Sequence, residues 1–280
     1  MCDVVECHVG AETVLLHVDS RVEGEDASNR EMWRVRTYAT KEPDTLAWID
    51  AFFREGDVIY DIGANIGQYS LYAAKRLHGN CTVLAFEPEA LNYAKLNRNI
   101  VLNGLTGIIM PYCLAVTEKM ALDVFYVQSF APGAALHSWG RPVTQGERPF
   151  SPQNQQGMVG LSLDDLTGRF GLPFPDHIKI DVDGTEADIV RGAAHTLSDP
   201  RLKTALVEVY MFKNVADEIE EAFASRGFGL TNADQIDHTP GTVRNLTFAR
   251  GVERRLEERP RTLREGDLCE RGVPDAPVRQ

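Results

Sequence analysis

A glycine-containing turn near residue 63 is the first feature of the sequence whose residue types could bind a ligand. It reads Asp61-Ile62-Gly63-Ala64-Asn65-Ile66-Gly67 and follows the apolar run Val58-Ile59-Tyr60. Such a run is typical of a strand buried on both faces of a sheet, and glycines after it let the backbone approach a ligand closely. Free amides at the start of the next helix can bind polar groups of that ligand. We therefore predict that the turn binds a ligand through Asp61, Gly63, Ala64, Asn65 and Gly67, with Asn65 equally suited to capping the helix.

The ends of two further predicted strands carry groups suited to a nucleoside. Glu87-Pro88 follows the apolar run Thr82 to Phe86, roughly 20 residues beyond the turn, where an acid accepts hydrogen bonds from ribose hydroxyls in related sheets. Cys113 to Ala115 follows a third predicted strand, where an adenine would lie. Because open α/β sheets bind ligands beyond the carboxyl ends of their strands, we predict that Glu87, Pro88, Cys113 and Ala115 contact a cofactor.

The spacing of the two glycines indicates which cofactor this is. Gly63 and Gly67 are present, but the sequence lacks the third glycine of the G-x-G-x-x-G pattern that cradles a pyrophosphate. S-adenosylmethionine carries no phosphate and does not require that pattern. We therefore predict S-adenosylmethionine as the cofactor and keep an NAD-dependent oxidoreductase as a weaker alternative. The intact turn and Glu87 argue against a binding module that has the fold without an activity.

Three acidic residues at later strand ends are candidates for proton transfer or metal binding. Asp181 and Asp183 follow the apolar run that begins at His177, and Glu208 lies near the end of the run 204–210. Clustered carboxylates raise one another's pKa, which suits a general base, and carboxylate oxygens also hold divalent cations. We predict Asp181 and Glu208 as catalytic residues and Asp181 also as a cofactor contact. A Mg²⁺-type site formed by Asp181, Asp183 and Glu208 is left open.

His137 and Glu42 complete the set of candidate residues. His137 lies near Trp139 in an irregular segment that is suited to lining an acceptor pocket, and it is a second candidate general base. Glu42 stands just before a helix that is predicted to begin at Pro43. It would reach the amino group of the cofactor if the N-terminal arm folds over the site.

The predicted elements bring these residues to one edge of a sheet. From Val58 onward, short apolar strands alternate with helices, which predicts an α/β fold with a mostly parallel sheet and helices on both faces. Residues 1–40 are predicted to form an N-terminal β arm, with a hairpin and a third strand at Trp33 to Tyr38. Residues 41–250 are the predicted catalytic domain, in which the irregular insertion 128–160 is a candidate acceptor lid. Residues 251–280 form a charged tail that is predicted to be disordered.

The chain resembles the FkbM-type methyltransferase family. The matching segments are Val58 to Ser70, Ala85-Phe86-Glu87-Pro88, Leu163-Asp164-Asp165-Leu166, Ile178 to Glu186, Gly192-Ala193 and Leu206-Val207-Glu208. Asp183 is a departure, because the family more often has Glu there, but the charge is kept. The resemblance implies a Rossmann-like class I methyltransferase that uses S-adenosylmethionine and methylates a hydroxyl of a sugar, a glycan or a natural product. A metal-dependent O-methyltransferase of the catechol-like type is the alternative.

The composition excludes several other classes of protein. The 280 residues include 29 basic and 41 acidic side chains, which gives a formal charge of −12. So acidic a chain lacks the electrostatic footprint of nucleic-acid binding. No secretory leader is visible, and no apolar run approaches the ~20 residues that span a bilayer. We therefore expect a cytoplasmic enzyme with a small-molecule or glycan acceptor, without a nucleic-acid or membrane partner, and we leave homo-oligomerisation open.

Overall fold

Strands and helices alternate along most of the chain, as the sequence predicts. The computed structural model describes residues 2–19, 30–211, 214–235 and 243–252. Its strands are β1 (Cys2–Val9), β2 (Glu12–Asp19), β3 (Val58–Ile62), β4 (Thr82–Phe86), β5 (Ile109–Tyr112), β6 (Ala115–Val116), β7 (Ala121–Val127), β8 (Ser138–Trp139), β9 (Asn154–Leu161), β10 (His177–Ile180), β11 (Thr204–Tyr210), β12 (Phe228–Gln235) and β13 (Val243–Arg250). Its helices are α1 (Arg30–Thr37), α2 (Pro43–Phe52), α3 (Gln68–Arg76), α4 (Ala90–Leu102), α5 (Glu186–Arg191), α6 (Ala194–Ser198) and α7 (Val215–Ala224), with a short, wide helical turn at Asp165–Arg169.

A seven-stranded sheet of order β12-β13-β11-β10-β3-β4-β5 forms the centre of the described structure. The strands from β11 to β5 are parallel, whereas β13 and β12 are antiparallel to their neighbours. The predicted mostly parallel sheet is thus confirmed. The order changes direction between β10 and β3, and ligands of open α/β sheets bind beyond the carboxyl ends of strands at such a point.

The central sheet separates two apolar layers, which explains its continuous apolar runs. Tyr60 and Val207 pack in one layer, and their neighbours Ile59 and Leu206 pack in the other. Successive side chains of a strand point to opposite faces, so a strand that is covered on both sides needs an apolar residue at every position. Burial of this kind fixes the register of the strands and so the positions at which their carboxyl ends meet.

The N-terminal arm contains the predicted hairpin but not the predicted third strand. Strands β1 and β2 pair antiparallel, whereas Trp33 to Tyr38 lies largely in helix α1. The prediction of a strand is wrong because α1 buries two charged side chains, Glu31 and Arg34. A helix whose buried face is polar lacks the apolar periodicity by which an amphipathic helix is recognised.

The segment 128–160 is more regular than the sequence indicates. A second sheet of order β6-β9-β7-β8 includes Ser138–Trp139 and Asn154–Leu161 from this segment. Strand β9 begins with Asn154, Gln155, Gln156 and Gly157, and its buried positions lie toward its end. Because its first four residues are polar or glycine, the sequence of β9 does not show the alternation of apolar and polar residues by which a strand is recognised. The division of the chain into three domains remains a prediction, and 253–280 of the predicted tail lie outside the described residues.

A chain of hydrogen bonds closes the amino end of the sheet, opposite to the carboxyl ends. Trp48 Nε1 donates to Thr204 Oγ1 (2.9 Å), which lies 2.7 Å from His177 Nδ1, and His177 Nε2 lies 2.9 Å from Asp57 Oδ2. Lys203 donates to the other oxygen of Asp57 (2.7 Å). Thr204, His177 and Asp57 have the hydrogen-bond order of a hydrolytic triad, but all three are buried and satisfied, so their role is structural. Among the described residues, no helix is both long enough and apolar enough to cross a membrane.

Candidate active site

A cavity of about 370 Å³ opens beyond the carboxyl ends of β3, β4, β10 and β11. The sequence-predicted residues that line it are Gly63, Asn65, Glu87, Pro88, Ala115, His137, Asp181, Asp183 and Glu208. Apolar neighbours of these residues, including Phe86, Leu114 and Val182, complete the walls. The structure thus brings residues from several separate segments of the chain into one cavity of the size that small-molecule sites have.

Gly63 is the point at which the backbone of the turn meets the next strand. Its φ is +84°, and a Cβ atom built on it would lie 1.8 Å from the carbonyl oxygen of Asp181. Gly67 has φ +94° and stands at the start of α3, where a Cβ would lie 2.6 Å from Leu96 Cδ1. Gly63 therefore lets β3 and β10 approach at the floor of the cavity, whereas Gly67 allows α3 to pack against α4.

Asn65 connects the glycine turn to two other parts of the site. Its backbone N–H donates to Glu87 Oε2 (2.8 Å), and its side-chain Nδ2 donates to the carbonyl oxygen of Ala134 (2.8 Å). Its φ is +51°, a conformation that Asn adopts more readily than most residues. The residue before α3 is Gly67, with no side-chain cap, so Asn65 holds the turn and does not cap the helix.

Glu87 is a buried acid at the end of β4. Its two carboxylate oxygens accept hydrogen bonds from the backbone N–H groups of Asn65 (2.8 Å) and Glu89 (2.9 Å). Burial raises the pKa of Glu87 to about 8, although these two donors act in the opposite direction. The side chain of Asn92 donates to this carboxylate as well. Each oxygen has two lone pairs, so the carboxylate retains capacity for a further donor from a ligand in the cavity.

Five of the sequence-predicted cofactor contacts, Asp61, Ala64, Gly67, Cys113 and Glu42, are absent from the lining that the described residues form. Asp61 is buried beneath the turn and accepts a hydrogen bond from Ser70 Oγ (2.5 Å). The thiol of Cys113 lies 3.8 Å from the carbonyl oxygen of Pro88. The role of these five residues as ligand contacts remains a prediction.

Carboxylates of Glu42, Asp181 and Glu208 converge at the other end of the cavity. Each offers an oxygen within 4.8 Å of the other two. Lys179 Nζ lies 2.5 Å from Asp181 Oδ2, and Lys41 forms an ion pair with Glu42. Burial would raise the pKa of Glu42, but the ammonium groups of Lys41 and Lys179 outweigh it and lower that pKa to about 2.

In contrast to Glu42, Glu208 has a raised pKa. Burial raises its pKa well above the usual range, and the negative charges of Asp181 and Glu42 raise it further. Asp181, by contrast, has a carboxylate oxygen in contact with the ammonium group of Lys179.

Asp183 lies outside this cluster, contrary to the expectation that it joins Asp181 and Glu208. Its Oδ2 accepts a hydrogen bond from the backbone N–H of His137 (2.9 Å), and burial raises its pKa to about 6. Glu42 takes its place beside the other two acids. Because Lys41 and Lys179 already provide positive charge to these carboxylates, the donor set suits proton transfer better than it suits a divalent cation.

The residues 133–137, which we call the bridging segment, cross over the cavity and are tied to four elements. Asn92 of α4 accepts from Gly133 N–H (2.7 Å) and donates to Ala134 O (3.1 Å). Arg34 of α1 donates from Nε to Gly133 O (2.7 Å). Asn65 also donates to Ala134 O, and Asp183 holds the far end at His137. The part of the candidate lid that covers the site is thus fixed by side chains.

His137 closes the end of the bridging segment and lines the cavity. Its Nδ1 accepts a hydrogen bond from the backbone N–H of Gln128 (3.2 Å), and the ring packs edge-on against Phe125 with 5.8 Å between centroids. Burial, together with the positive charge of Arg34, lowers the pKa of His137 to about 4, although the nearby carbonyl of Ala134 acts in the opposite direction. The imidazole is therefore neutral near pH 7.

Sequence reasoning missed four lining residues near the N-terminus, namely Arg30, Trp33, Arg34 and Lys41. Trp33 and Arg34 lie on α1, where the sequence pattern predicts a strand. The spacing of Arg30, Trp33, Arg34 and Thr37 is that of one helix face. This helical spacing of polar residues around a tryptophan is the pattern from which α1 and its lining residues could have been predicted.

The fold and the site together define a class I methyltransferase. The model of the Methyltransferase FkbM domain family matches residues 61–230. This match covers more than half of the chain, which therefore belongs to the FkbM methyltransferase family. The predicted family and enzyme class are confirmed, and membership supports S-adenosylmethionine as the methyl donor.

Individual relatives agree with the family assignment. The chain is 26% identical over 212 residues to methyltransferase sdnD of Sordaria araneosa, which covers 69% of this chain and 81% of the relative. It is 24% identical over 211 residues to the hexuronic acid methyltransferase AglP of Haloferax volcanii, covering 74% and 80%. The solved structure of a methyltransferase FkbM from Methylobacillus flagellatus has the same fold, with a TM-score of 0.50 and 16% identity. The similar region is 70% of this chain and 44% of that one.

Proposed function

We propose that this protein transfers the methyl group of S-adenosylmethionine to a hydroxyl oxygen of a sugar, a glycan or another oxygen-rich small molecule. The observation that carries the proposal is a single cavity with a nucleoside-type end and an acidic end. Gly63 and Glu87 lie at the first end, and Asp181 and Glu208 lie at the second. Bound S-adenosylmethionine supplies an activated methyl group on a positively charged sulfur.

The residues present fit this cofactor. The backbone of Gly63 reaches the cavity because no side chain separates it from β10. Glu87 can accept hydrogen bonds from ribose hydroxyls, and Phe86, Leu114 and Ala115 offer the apolar surface that an adenine requires. We assign Gly63, Asn65, Glu87, Pro88 and Ala115 to the cofactor.

We assign proton removal from the acceptor hydroxyl to Glu208. Asp181 is the other candidate from the sequence, but an oxygen of its carboxylate already contacts the ammonium group of Lys179. Glu208 faces Asp181 and Glu42, which favour its uptake of a proton. Asp181 then orients the acceptor, and Lys179 keeps the net charge of the cluster low.

Other residues of the cavity wall support an oxygen-rich acceptor. Arg34, Gln145 and the aromatic side chains of Trp33 and Trp139 also line the cavity. Guanidinium and amide groups bind hydroxyl or carboxylate oxygens. One relative is named for methylating a hexuronic acid, and we extend that chemistry to this chain as part of the proposal. Natural-product hydroxyls remain within the proposed class.

Calorimetry followed by an acceptor screen tests the proposed function. We expect S-adenosylmethionine and S-adenosylhomocysteine to bind and NAD not to bind. Methyl transfer from labelled cofactor is then measured on D-glucuronate, D-galacturonate, D-glucose and a set of polyketides. Binding of NAD without binding of S-adenosylhomocysteine would contradict the proposal.

Replacing Glu208 tests the assignment of the base. In Glu208→Gln we expect kcat/KM to fall by about 10²–10⁴-fold, the usual contribution of a general base, with a much smaller change in the affinity for S-adenosylhomocysteine. In the wild type the rate should rise with pH as Glu208 loses its proton, and the variant should lack this rise. Glu218→Gln, at an exposed position, is the control. Unchanged turnover in Glu208→Gln would remove the residue from this role.

A further inference from the structure

His137 contains a buried polar atom that the protein leaves unsatisfied. Its side chain is 6% exposed, and its Nε2 has no hydrogen-bond partner within the described structure. The carbonyl of Ala134 lies close enough to the ring to raise its pKa, but its geometry relative to Nε2 is not that of a hydrogen bond. Buried polar atoms are nearly always paired, so an unpaired one at the wall of a cavity indicates a partner that arrives with a ligand.

The hydrogen bond at the other ring nitrogen determines what Nε2 can do. Nδ1 accepts from the backbone N–H of Gln128 (3.2 Å), so Nδ1 must present a lone pair. A neutral imidazole then carries its proton on Nε2. Nε2 is therefore a donor, and a donor cannot remove a proton from a hydroxyl.

The path of the bridging segment places this donor on the acceptor side of the cavity. The segment starts at Gly133 and Ala134, which are tied to Asn92 and Asn65 next to Glu87. It ends at His137, whose N–H is bound by Asp183, two residues beyond Asp181. His137 lines the cavity, whereas Gln128, which bonds its Nδ1, does not.

We propose that His137 donates a hydrogen bond from Nε2 to an oxygen of the methyl acceptor, so that it selects and positions the acceptor and does not act as the general base. The inference rests on the proposed function in that it takes the second ligand of the cavity to be the acceptor. It predicts that the acceptor carries an oxygen with a free lone pair next to the methylated hydroxyl, as sugars and uronates do. It reverses the role that sequence reasoning gives to this residue.

Nuclear magnetic resonance can test the tautomer without any acceptor. Long-range ¹H–¹⁵N spectra of protein labelled at its 7 histidines distinguish the two neutral tautomers and the cation. The signal of His137 is assigned by its loss in His137→Gln. We expect a neutral ring at pH 7 with the proton on Nε2. A proton on Nδ1, or a doubly protonated ring, would overturn the proposal.

Kinetics on whichever compound of the sugar and uronate panel is methylated test the contact itself. Loss of one neutral hydrogen bond should raise the acceptor KM by about 3- to 12-fold in His137→Phe, with little change in kcat or in the affinity for S-adenosylhomocysteine. His137→Gln keeps a donor near the Nε2 position and should recover most of the affinity. His195→Gln, at an exposed residue, is the matched control. A loss that is confined to kcat in both His137 variants would contradict the positioning role.

The two proposals fail in different ways. If S-adenosylhomocysteine does not bind and no compound is methylated, the proposed function is wrong, while the spectra still decide the tautomer. If methylation occurs and His137→Phe leaves the acceptor KM unchanged, the proposed function stands and the role of His137 is wrong.

Discussion

Glu87 is the residue whose protonation should control cofactor binding. Its pKa is raised to about 8 by burial, and ribose hydroxyls that donate to it favour the ionised form. The pKa should therefore be lower in the complex than in the free protein, so binding should strengthen as the pH rises toward 8 and level off above it. The increase is at most about tenfold per pH unit for one group.

Titration calorimetry with S-adenosylhomocysteine between pH 6 and 9 measures this dependence for the wild type and Glu87→Gln. The variant should bind more weakly and should lose the rise, because its amide does not titrate. Glu118→Gln, at an exposed position, should behave like the wild type. A rise of equal slope in Glu87→Gln would assign the titration to another group.

Gly63 is required for two separable reasons, its positive φ and the approach of Asp181. Gly56 has a similar φ of +89°, but a Cβ added there would meet nothing within 4 Å, whereas a Cβ at Gly63 would lie 1.8 Å from a backbone oxygen. Gly56→Ala should therefore cost only the conformational strain, about 1 kcal/mol. Gly63→Ala should cost clearly more and should also weaken S-adenosylhomocysteine binding by more than about tenfold. Urea denaturation measures the free energy of unfolding of both variants. If Gly56→Ala and Gly63→Ala lose the same amount, the contact between a Cβ at position 63 and Asp181 costs no stability.

At the scale of elements, the bridging segment depends on α4 for its position. Asn92 holds Gly133 and Ala134 with both atoms of its side-chain amide. In Asn92→Ala, hydrogen exchange in residues 131–137 should accelerate, because the segment loses two buried hydrogen bonds, and S-adenosylhomocysteine should dissociate faster. Asn97→Ala changes the same residue type on the same helix, where the side chain donates to Tyr93 O of the same helix. If neither variant accelerates hydrogen exchange in the bridging segment, the hydrogen bonds from Arg34, Asn65 and Asp183 are sufficient to hold it.

The elements that sequence reasoning could predict are those with apolar cores. Strands β3, β4, β10 and β11 are buried on both faces, so their residue types reveal them, and their carboxyl ends then bring Gly63, Glu87, Asp181 and Glu208 together. Helix α1 could not be found in this way, because its buried face carries Glu31 and Arg34. The placement of Glu42 in the acidic cluster also depends on how the N-terminal arm returns to the sheet, which no local pattern encodes.

At the scale of the whole molecule, the N-terminal hairpin is joined to the site through α4. Asn103, directly after α4, and Asn99 of α4 accept hydrogen bonds from the backbone N–H groups of Leu15 and His17 respectively (2.9 Å each). Asn99 also donates to the carbonyl of Ile66 in the glycine turn (2.8 Å). The hairpin, α4 and the turn therefore form one connected unit, and the arm is part of the structure that supports the cofactor end.

Lys95 is the charge that joins α4, the hairpin and α1. Its Nζ lies 2.7 Å from Glu31 Oε1 and 3.3 Å from Asp19 Oδ2, and both Lys95 and Glu31 are buried. In Lys95→Met, Glu31 should remain as an uncompensated buried charge, at a cost of about 3–5 kcal/mol. Because Glu31 and Arg34 share α1, and Arg34 holds Gly133, affinity for S-adenosylhomocysteine should fall as well.

The double variant Glu31→Gln, Lys95→Met separates charge from packing. It removes both charges of the pair, so it should recover much of the stability that Lys95→Met loses, because replacing a buried pair costs far less than breaking one. Lys119→Met, at an exposed lysine, controls for the change of residue type. Urea denaturation gives the free energy of unfolding of each variant, and calorimetry gives its affinity for S-adenosylhomocysteine. If Lys95→Met lowers stability but leaves that affinity unchanged, α1 does not transmit the loss to the cavity.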